Sequence, residues 1–326
     1  MINNNILVSI IIPFYNASNV IYNSLEFIKK IIENEKVEVI FIDDGSTDNT
    51  IEIIESILSN RTNFKLFRKN NNGVSSARNL GISKSSGKYL MFLDADDQFI
   101  IDTFNYILNK IDLYDYDVMI FSYITDHTKK RNSELLLNKD TSSNTFLINY
   151  IKGKYLSKVS FSSCVYKSSI IHNNKILFDE KIKFGEDQLF LIKYLSIINR
   201  SSLIEINKTL LYYFHHENNA TKKFNIRRFD AIKMLDTIDF QKNRLPISIK
   251  NSRINSELCA IATQYYAENN YSNSIHFLNK KISPFIKKSN IEMNILKQKD
   301  IVFTFFPKFY LFSYKTYKHL KNILKK

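Results

Sequence analysis

Three groups of acidic residues have the types and spacing to do chemistry on a phosphorylated substrate. Asp94-Ala95-Asp96-Asp97 follows an apolar run and places carboxylates one residue apart, where they could share a hard divalent cation with phosphate oxygens. Asp43-Asp44-Gly45-Ser46-Thr47-Asp48 follows a second apolar run. An acidic side chain there can accept a hydrogen bond from a base N–H or a ribose hydroxyl, and Gly45 lets the backbone turn tightly. Gly185-Glu186-Asp187 precedes a helical stretch. A carboxylate at a helix N-terminus is stabilised as the anion and is available as a base. Taken singly, each group also has a plainer reading as a solvated turn, a helix cap or a partner of the helix dipole.

The elements that must position these groups alternate in the manner of an α/β layer. Buried strands are predicted at Val8–Pro13, Val37–Asp43, Phe64–Arg68 and Tyr89–Leu93, with helices over Val20–Ile32, Thr50–Leu58 and Ser75–Ser83. Thr47 or Asp48 is placed to cap the second of these helices. Two acidic groups therefore fall at the C-terminal ends of strands, the edge at which open α/β sheets bind ligands. Further on, the pattern predicts a helix near Phe104–Ile111, a strand at Asp117–Tyr123, a polar loop around 125–143 and a strand or loop at Val159–Val165. Beyond about Thr221 helical periodicity takes over. The expected organisation is thus a first domain over 1–221, with halves 1–98 and 99–221, and a helical region over 222–326.

In order along the chain, Pro13-Phe14-Tyr15-Asn16, Asp43-Asp44-Gly45-Ser46-Thr47-Asp48, Asn72-Gly73-Val74-Ser75-Ser76-Ala77-Arg78-Asn79, Leu93-Asp94-Ala95-Asp96-Asp97 and Gly185-Glu186-Asp187 resemble the motif series of the family-two glycosyltransferases. The likeness is tight over 8–98, looser over 159–221 and absent beyond. It implies a GT-A fold, a Rossmann-like nucleotide-binding sheet flanked by helices. It also implies an inverting enzyme of the bacterial surface-polysaccharide type, moving a hexose or N-acetylhexosamine from a UDP-sugar to a hydroxyl of a lipid-linked or surface glycan such as lipopolysaccharide, capsule or O-antigen. By the same resemblance Pro13, Tyr15, Asn16, Asp43, Asp44, Arg78, Asp94 and Ala95 would surround the nucleotide donor. Asp96 and Asp94 would hold Mn²⁺ or Mg²⁺, and Asp187, with Glu186 beside it, would be the catalytic base. The segment Tyr212-Tyr213-Phe214-His215-His216 is similar to the family's closing Tyr-rich motif. Either histidine suits a metal shell, and His216 is the expected ligand.

Charge is uneven. Residues 1–215 hold 25 Lys and Arg against 24 Asp and Glu, whereas 216–326 hold 21 against 8, so the net +14 belongs almost wholly to the rear. A basic rear is drawn to something anionic. Residues 301–326 contain no acid, and helical spacing would align Phe303, Phe306, Tyr310, Tyr314, Tyr317 and Leu324 opposite several lysines. That pattern is expected either to attach the protein to an anionic membrane surface or to pack on the protein's own helices. Cys164 and Cys259 lie far apart without metal-ligand spacing, which argues against a disulfide framework or a zinc site. The first residues carry no signal-peptide pattern and no apolar stretch reaches the roughly 20 residues of a membrane span. A cytoplasmic protein peripheral on the inner face of the membrane is therefore expected. The rival readings are a nucleotidyltransferase, disfavoured because Pro13–Ala17 is no glycine-rich phosphate loop, and a nucleic-acid-binding protein using the basic rear. The near-neutral front argues against nucleic acid.

Overall fold

The computed structural model describes residues 6–59, 61–125, 143–155, 159–198, 203–214, 224–240, 245–287, 291 and 298–314. They form two compact units. The first comprises 1–147, 155–181 and 186–215, and the second 148–154, 182–185 and 216–326.

The first unit is built on one sheet. Its strands are β1 (Val8–Phe14), β2 (Val37–Asp43), β3 (Phe64–Arg68), β4 (Tyr89–Phe92), β5 (Gln98–Phe99), β6 (Val118–Ile124), β7 (Cys164–Lys167) and β8 (Leu203–Tyr212). They are arranged in the order β3-β2-β1-β4-β7-β6-β8-β5. The β3-β2-β1-β4 half is parallel. Residues on both faces of β1 and β2 are buried along their whole length, as expected of strands covered on both sides. β7 runs antiparallel to β4 and β6, and β8 lies parallel to β6 and antiparallel to β5.

The helices of the first unit are α1 (Tyr22–Ile31), α2 (Thr50–Leu58), α3 (Val74–Lys84) and α4 (Ile101–Leu113), then, after α5 (Ser143–Ile151), whose residues are shared between the two units, α6 (Ser168–Asn173) and α7 (Glu186–Leu195). α1 turns Leu25, Phe27, Ile28 and Ile31 inward. Phe27 meets Phe99 and Phe104 edge-on at 5.5 and 5.2 Å, which seats the short β5 and the start of α4. α3 lies against β1 at Gly81, where a Cβ would come within 2.3 Å of Ile11 Cγ2. Only a glycine allows so close an approach of helix to strand.

The predicted bounds of β2, α2 and β3 are those found, and the other early elements end within two residues of their predicted bounds. The strand over 203–212 was not anticipated. At 159–165 a 3-10 turn, Phe161–Ser163, leads into β7. The polar loop falls on 126–142, outside the described residues.

In the second unit, α8 (Asp230–Thr237), α9 (Ile247–Glu268), α10 (Tyr271–Phe277) and α11 (Gln298–Phe305) pack around the buried side of α9. A helical stretch over 307–314 follows. Tyr265 of α9 stacks on Phe277 of α10 at 3.9 Å. The Asn255 side chain accepts from the Lys287 amide at 2.8 Å and donates to the Lys287 carbonyl at 2.6 Å. The turn Ile182–Gly185 is held here too. Buried Asp230 accepts from the Lys183 amide at 3.1 Å, Arg228 lies 5.1 Å over the Phe184 ring, and Gly185 adopts a φ of 86° against Ala231.

Candidate active site

The loops after β1 and β2 are knitted into one edge. The Asn16 amide donates to Ser46 Oγ at 2.9 Å, and the Asn16 side chain accepts from the Thr47 amide at 2.8 Å. Asp48 accepts from the Ser18 amide at 3.0 Å and from Thr50 Oγ1 at 2.5 Å. The residue before the helix is Asn49, whose side chain makes no capping bond, but Asp48 also accepts from the Thr50 amide at 3.2 Å, so it caps the start of α2, as expected of it or Thr47, while joining two loops. Asp43, fully buried, accepts from the Ser46 amide at 2.8 Å and pairs with Arg68 at 3.2 Å. Asp44 accepts from Lys69 Nζ at 2.5 Å and from the amides of Asn72 and Gly73 at 3.1 and 2.7 Å. The Asp44 carboxylate therefore holds the loop before α3, and a Cβ on Gly45 would meet the Asn71 amide nitrogen at 3.0 Å. Pro13 is buried, while Tyr15 and Asn16 stand exposed at the rim, where an aromatic ring is available to a nucleobase.

Arg78 organises the opposite wall. Its guanidinium is buried, donates to Asp94 Oδ1 at 2.7 Å and to Glu186 Oε1 at 3.2 Å, and lies 4.5 and 5.3 Å from the ring centres of Phe161 and Phe178. One side chain thus ties the end of β4 to the start of α7. The sequence placed Arg78 on the donor-binding segment; its ion pairs, and the aromatic platform of Phe161 and Phe178, carry no sequence signal because their partners are distant in the chain. Ala95, between Asp94 and Asp96, is buried.

Asp187 follows Glu186 at the first turn of α7 and accepts from the Gln188 amide at 2.7 Å. Burial, then the neighbouring Glu186 charge, push its carboxyl up to about 7, with Arg78 opposing. A carboxylate so tuned exchanges protons near neutral pH. Asp97 shows a larger effect. Burial and the charges of Asp94 and Asp96 push it up to about 9, although the Phe214 amide donates to its Oδ1 at 3.0 Å. Its Oδ2 is buried without a hydrogen-bond partner. Asp97 also links the aspartate turn to the end of β8, a role that its position in the motif did not announce.

Among the described residues no three His, Cys, Asp or Glu side chains converge into a complete metal shell. The expected ligand His216 lies outside the described residues, as does His215. The aspartate turn nevertheless suits a cation. It offers oxygen donors, and one of its carboxyls, Asp97, is pushed towards the protonated state first by burial and then by the charges of Asp94 and Asp96; a bound cation would relieve the second of these.

The profile described as Glycosyl transferase family 2 matches residues 9–174. The chain belongs to glycosyl transferase family 2. An uncharacterised glycosyltransferase of Rickettsia bellii is 48% identical to this family-2 chain over 92 residues, covering 28% of the chain and 13% of the relative. The minor teichoic acid biosynthesis protein GgaA of Bacillus subtilis is 43% identical over 96 residues, 28% of the chain and 22% of the relative. The chain thus spans well under half of either relative. Among solved structures, S. aureus TarS 1–349 in complex with UDP-GlcNAc superposes with a TM-score of 0.59 at 20% identity, covering 92% of this chain and 81% of that one. The Pyrobaculum calidifontis mannosyltransferase PcManGT, in complex with GDP-Man and Mn²⁺, gives 0.56 at 15% identity, covering 98% and 87%. These likenesses establish the GT-A fold expected from the motif series.

Proposed function

We propose that this family-2 chain is an inverting, metal-dependent glycosyltransferase that moves a hexose or N-acetylhexosamine from a UDP-sugar to a hydroxyl of a lipid-linked or surface glycan. The observation that carries the reading is the bridge from Asp94 through Arg78 to Glu186. It sets the aspartate turn beside the helix start that bears Asp187, a carboxyl adjusted to take up a proton near neutral pH.

In this reading Asp187 accepts the proton of the acceptor hydroxyl as its oxygen bonds to the anomeric carbon. The bond from that carbon to the diphosphate breaks with its electron pair leaving on the nucleotide, and attack from the face opposite the leaving group inverts the anomer. Asp96, with Asp94, would hold Mn²⁺ or Mg²⁺, which when bound supplies positive charge for the diphosphate. Glu186 keeps Arg78 in place. Tyr15 and Asn16 offer contacts to the nucleoside, with Pro13, Asp43 and Asp44 shaping the loops behind them.

UDP-GlcNAc in the TarS structure supports the donor class. The teichoic acid role printed for GgaA supports a cell-surface polymer as acceptor, and lipopolysaccharide, capsule and O-antigen remain in the same class. Such acceptors place the work at the inner face of the cytoplasmic membrane.

The test is a panel of nucleotide-sugars with and without Mn²⁺, read by nucleotide release and by calorimetry. Metal-dependent release of UDP, with Asp96→Ala losing metal-dependent donor binding, is the expected result. Pyrophosphate release would favour the nucleotidyltransferase reading, and donor binding indifferent to metal would remove Asp96 from its role.

A further inference from the structure

Asn79 follows Arg78 in α3 and closes the motif that runs from Asn72. Its carboxamide is committed to a residue 99 positions away. Asn79 Oδ1 accepts from the Phe178 amide at 2.9 Å, and Asn79 Nδ2 donates to the Phe178 carbonyl at 3.0 Å. One side chain thus pairs both backbone groups of Phe178, as a neighbouring strand would. The residue type matters, because a carboxamide sets one donor and one acceptor side by side, whereas a carboxylate has no donor and a methyl has neither. Residues 176–179 belong to no helix or strand, so the clamp gives Phe178 what a ladder would otherwise supply.

The Phe178 side chain is buried among the groups that organise the site. It stacks on Phe190 of α7 with ring centres 4.2 Å apart and planes 7° from parallel, and it lies 5.3 Å from the Arg78 guanidinium. Phe92 at the end of β4 and Phe161 meet it edge-on at 5.4 and 5.7 Å. Phe190 comes four residues after Glu186 and three after Asp187, so the three share a side of α7. A displaced Phe178 ring would disturb both the helix that presents Asp187 and the cation that holds Glu186.

We infer that Asn79 is a positioning residue for the transfer step: its clamp on the Phe178 backbone seats that ring against Arg78 and Phe190, and so fixes the first turn of α7. The assignment rests on Asp187 being the base proposed above. A base moved by a fraction of an ångström loses rate and not donor affinity. The loops after β1 and β2, which face the nucleoside in that proposal, have hydrogen bonds of their own.

The test uses the full chain with Mn²⁺ and the nucleotide-sugar that releases UDP fastest in the panel above. Asn79→Ala should lower kcat about ten- to hundredfold while the donor KM stays within about twofold. Phe178→Leu leaves the clamp and removes the ring, so it should act in the same way. The double variant should lose little more than the worse single one, since both act through one ring. Hydrogen exchange supplies a readout that needs no turnover: the amides of Phe178, Phe190 and Leu191 should exchange about tenfold faster in Asn79→Ala. A parental kcat, a donor KM that rises in step with the loss, multiplicative losses in the double variant, or unchanged exchange would each overturn the assignment. Asp187→Asn run alongside separates the two claims. An inactive Asp187→Asn beside a fully active Asn79→Ala rejects Asn79 alone, whereas parental activity in Asp187→Asn rejects the base itself and this assignment with it.

Discussion

The guanidinium of Arg78 sits 2.7 Å from the Asp94 carboxylate, while its other terminal nitrogen reaches Glu186 from 108 residues away in the chain. Removing the cation leaves two carboxylates facing one another in a largely buried setting. Arg78→Ala should therefore lower the unfolding free energy by about 3–5 kcal/mol, and Arg78→Lys should restore only part of it, because an ammonium cannot bridge both partners as the planar fork does. Urea denaturation of the two variants measures this. Unchanged midpoints would mean that water has taken over the role of the bridge.

Asp187→Asn should reduce transfer by about 10²- to 10⁴-fold with donor affinity unaltered. Because the base must be ionised to act, the parent's rate should climb as pH rises through about 7. Glu186→Gln removes the neighbouring negative charge, so the same limb should move to lower pH. A pH profile that stays in place in Glu186→Gln would separate Asp187 from the titration.

Asp97 makes the folded state dependent on pH without any substrate. Its folded-state carboxyl, at about 9, binds a proton more tightly than the unfolded chain's at 3.8. Its stabilising contribution is then complete below about pH 4 and lost as pH rises towards 9. Asp97→Asn keeps an acceptor for the Phe214 amide and carries no charge, so at pH 8 without metal it should be more stable than the parent by about 1–3 kcal/mol. At pH 4 the difference should vanish. Chemical denaturation at the two pH values provides the comparison.

Gly81→Ala forces a methyl against Ile11 and should cost about 1–3 kcal/mol. Ile11→Ala removes the obstructing Cγ2 at its own cost of about 2–5 kcal/mol. The double variant should cost clearly less than the two single changes together, since the residues share one space. Additive losses would indicate that the backbone of α3 shifts to accommodate the new side chain.

The elements most legible in the sequence are those whose boundaries are set locally. β2 is a buried apolar run that stops at Asp43-Asp44-Gly45, and β3 and α2 are framed by polar residues, so period and punctuation suffice. β8 was hidden because Glu205, Asn207, Lys208 and Thr209 interrupt its apolar character. What makes it a strand is the pairing it receives from β6 and β5. The site shows the same division. The acidic groups could be read from their spacing, but the Arg78 bridge and the Phe161 and Phe178 rings around it arise only when distant segments meet. Near the C-terminus, helical spacing left the aromatic side open to a membrane or to the protein's own helices, and only the meeting of Tyr310 with Thr263 and of Tyr314 with Tyr266 shows that these two rings pack on α9. Tyr317 and Leu324, aligned with them by helical spacing, lie outside the described residues.

The stretch matched by the family profile ends at residue 174, yet β8 occupies an inner place between β6 and β5. A recombinant hybrid cut at that point would strip a partner from β6 and leave β5 with no neighbour, exposing unpaired backbone amides and carbonyls to aggregation. Swapping of acceptor preference between relatives therefore has to carry the return strand along with the amino-terminal motifs, and a workable junction lies beyond Tyr212.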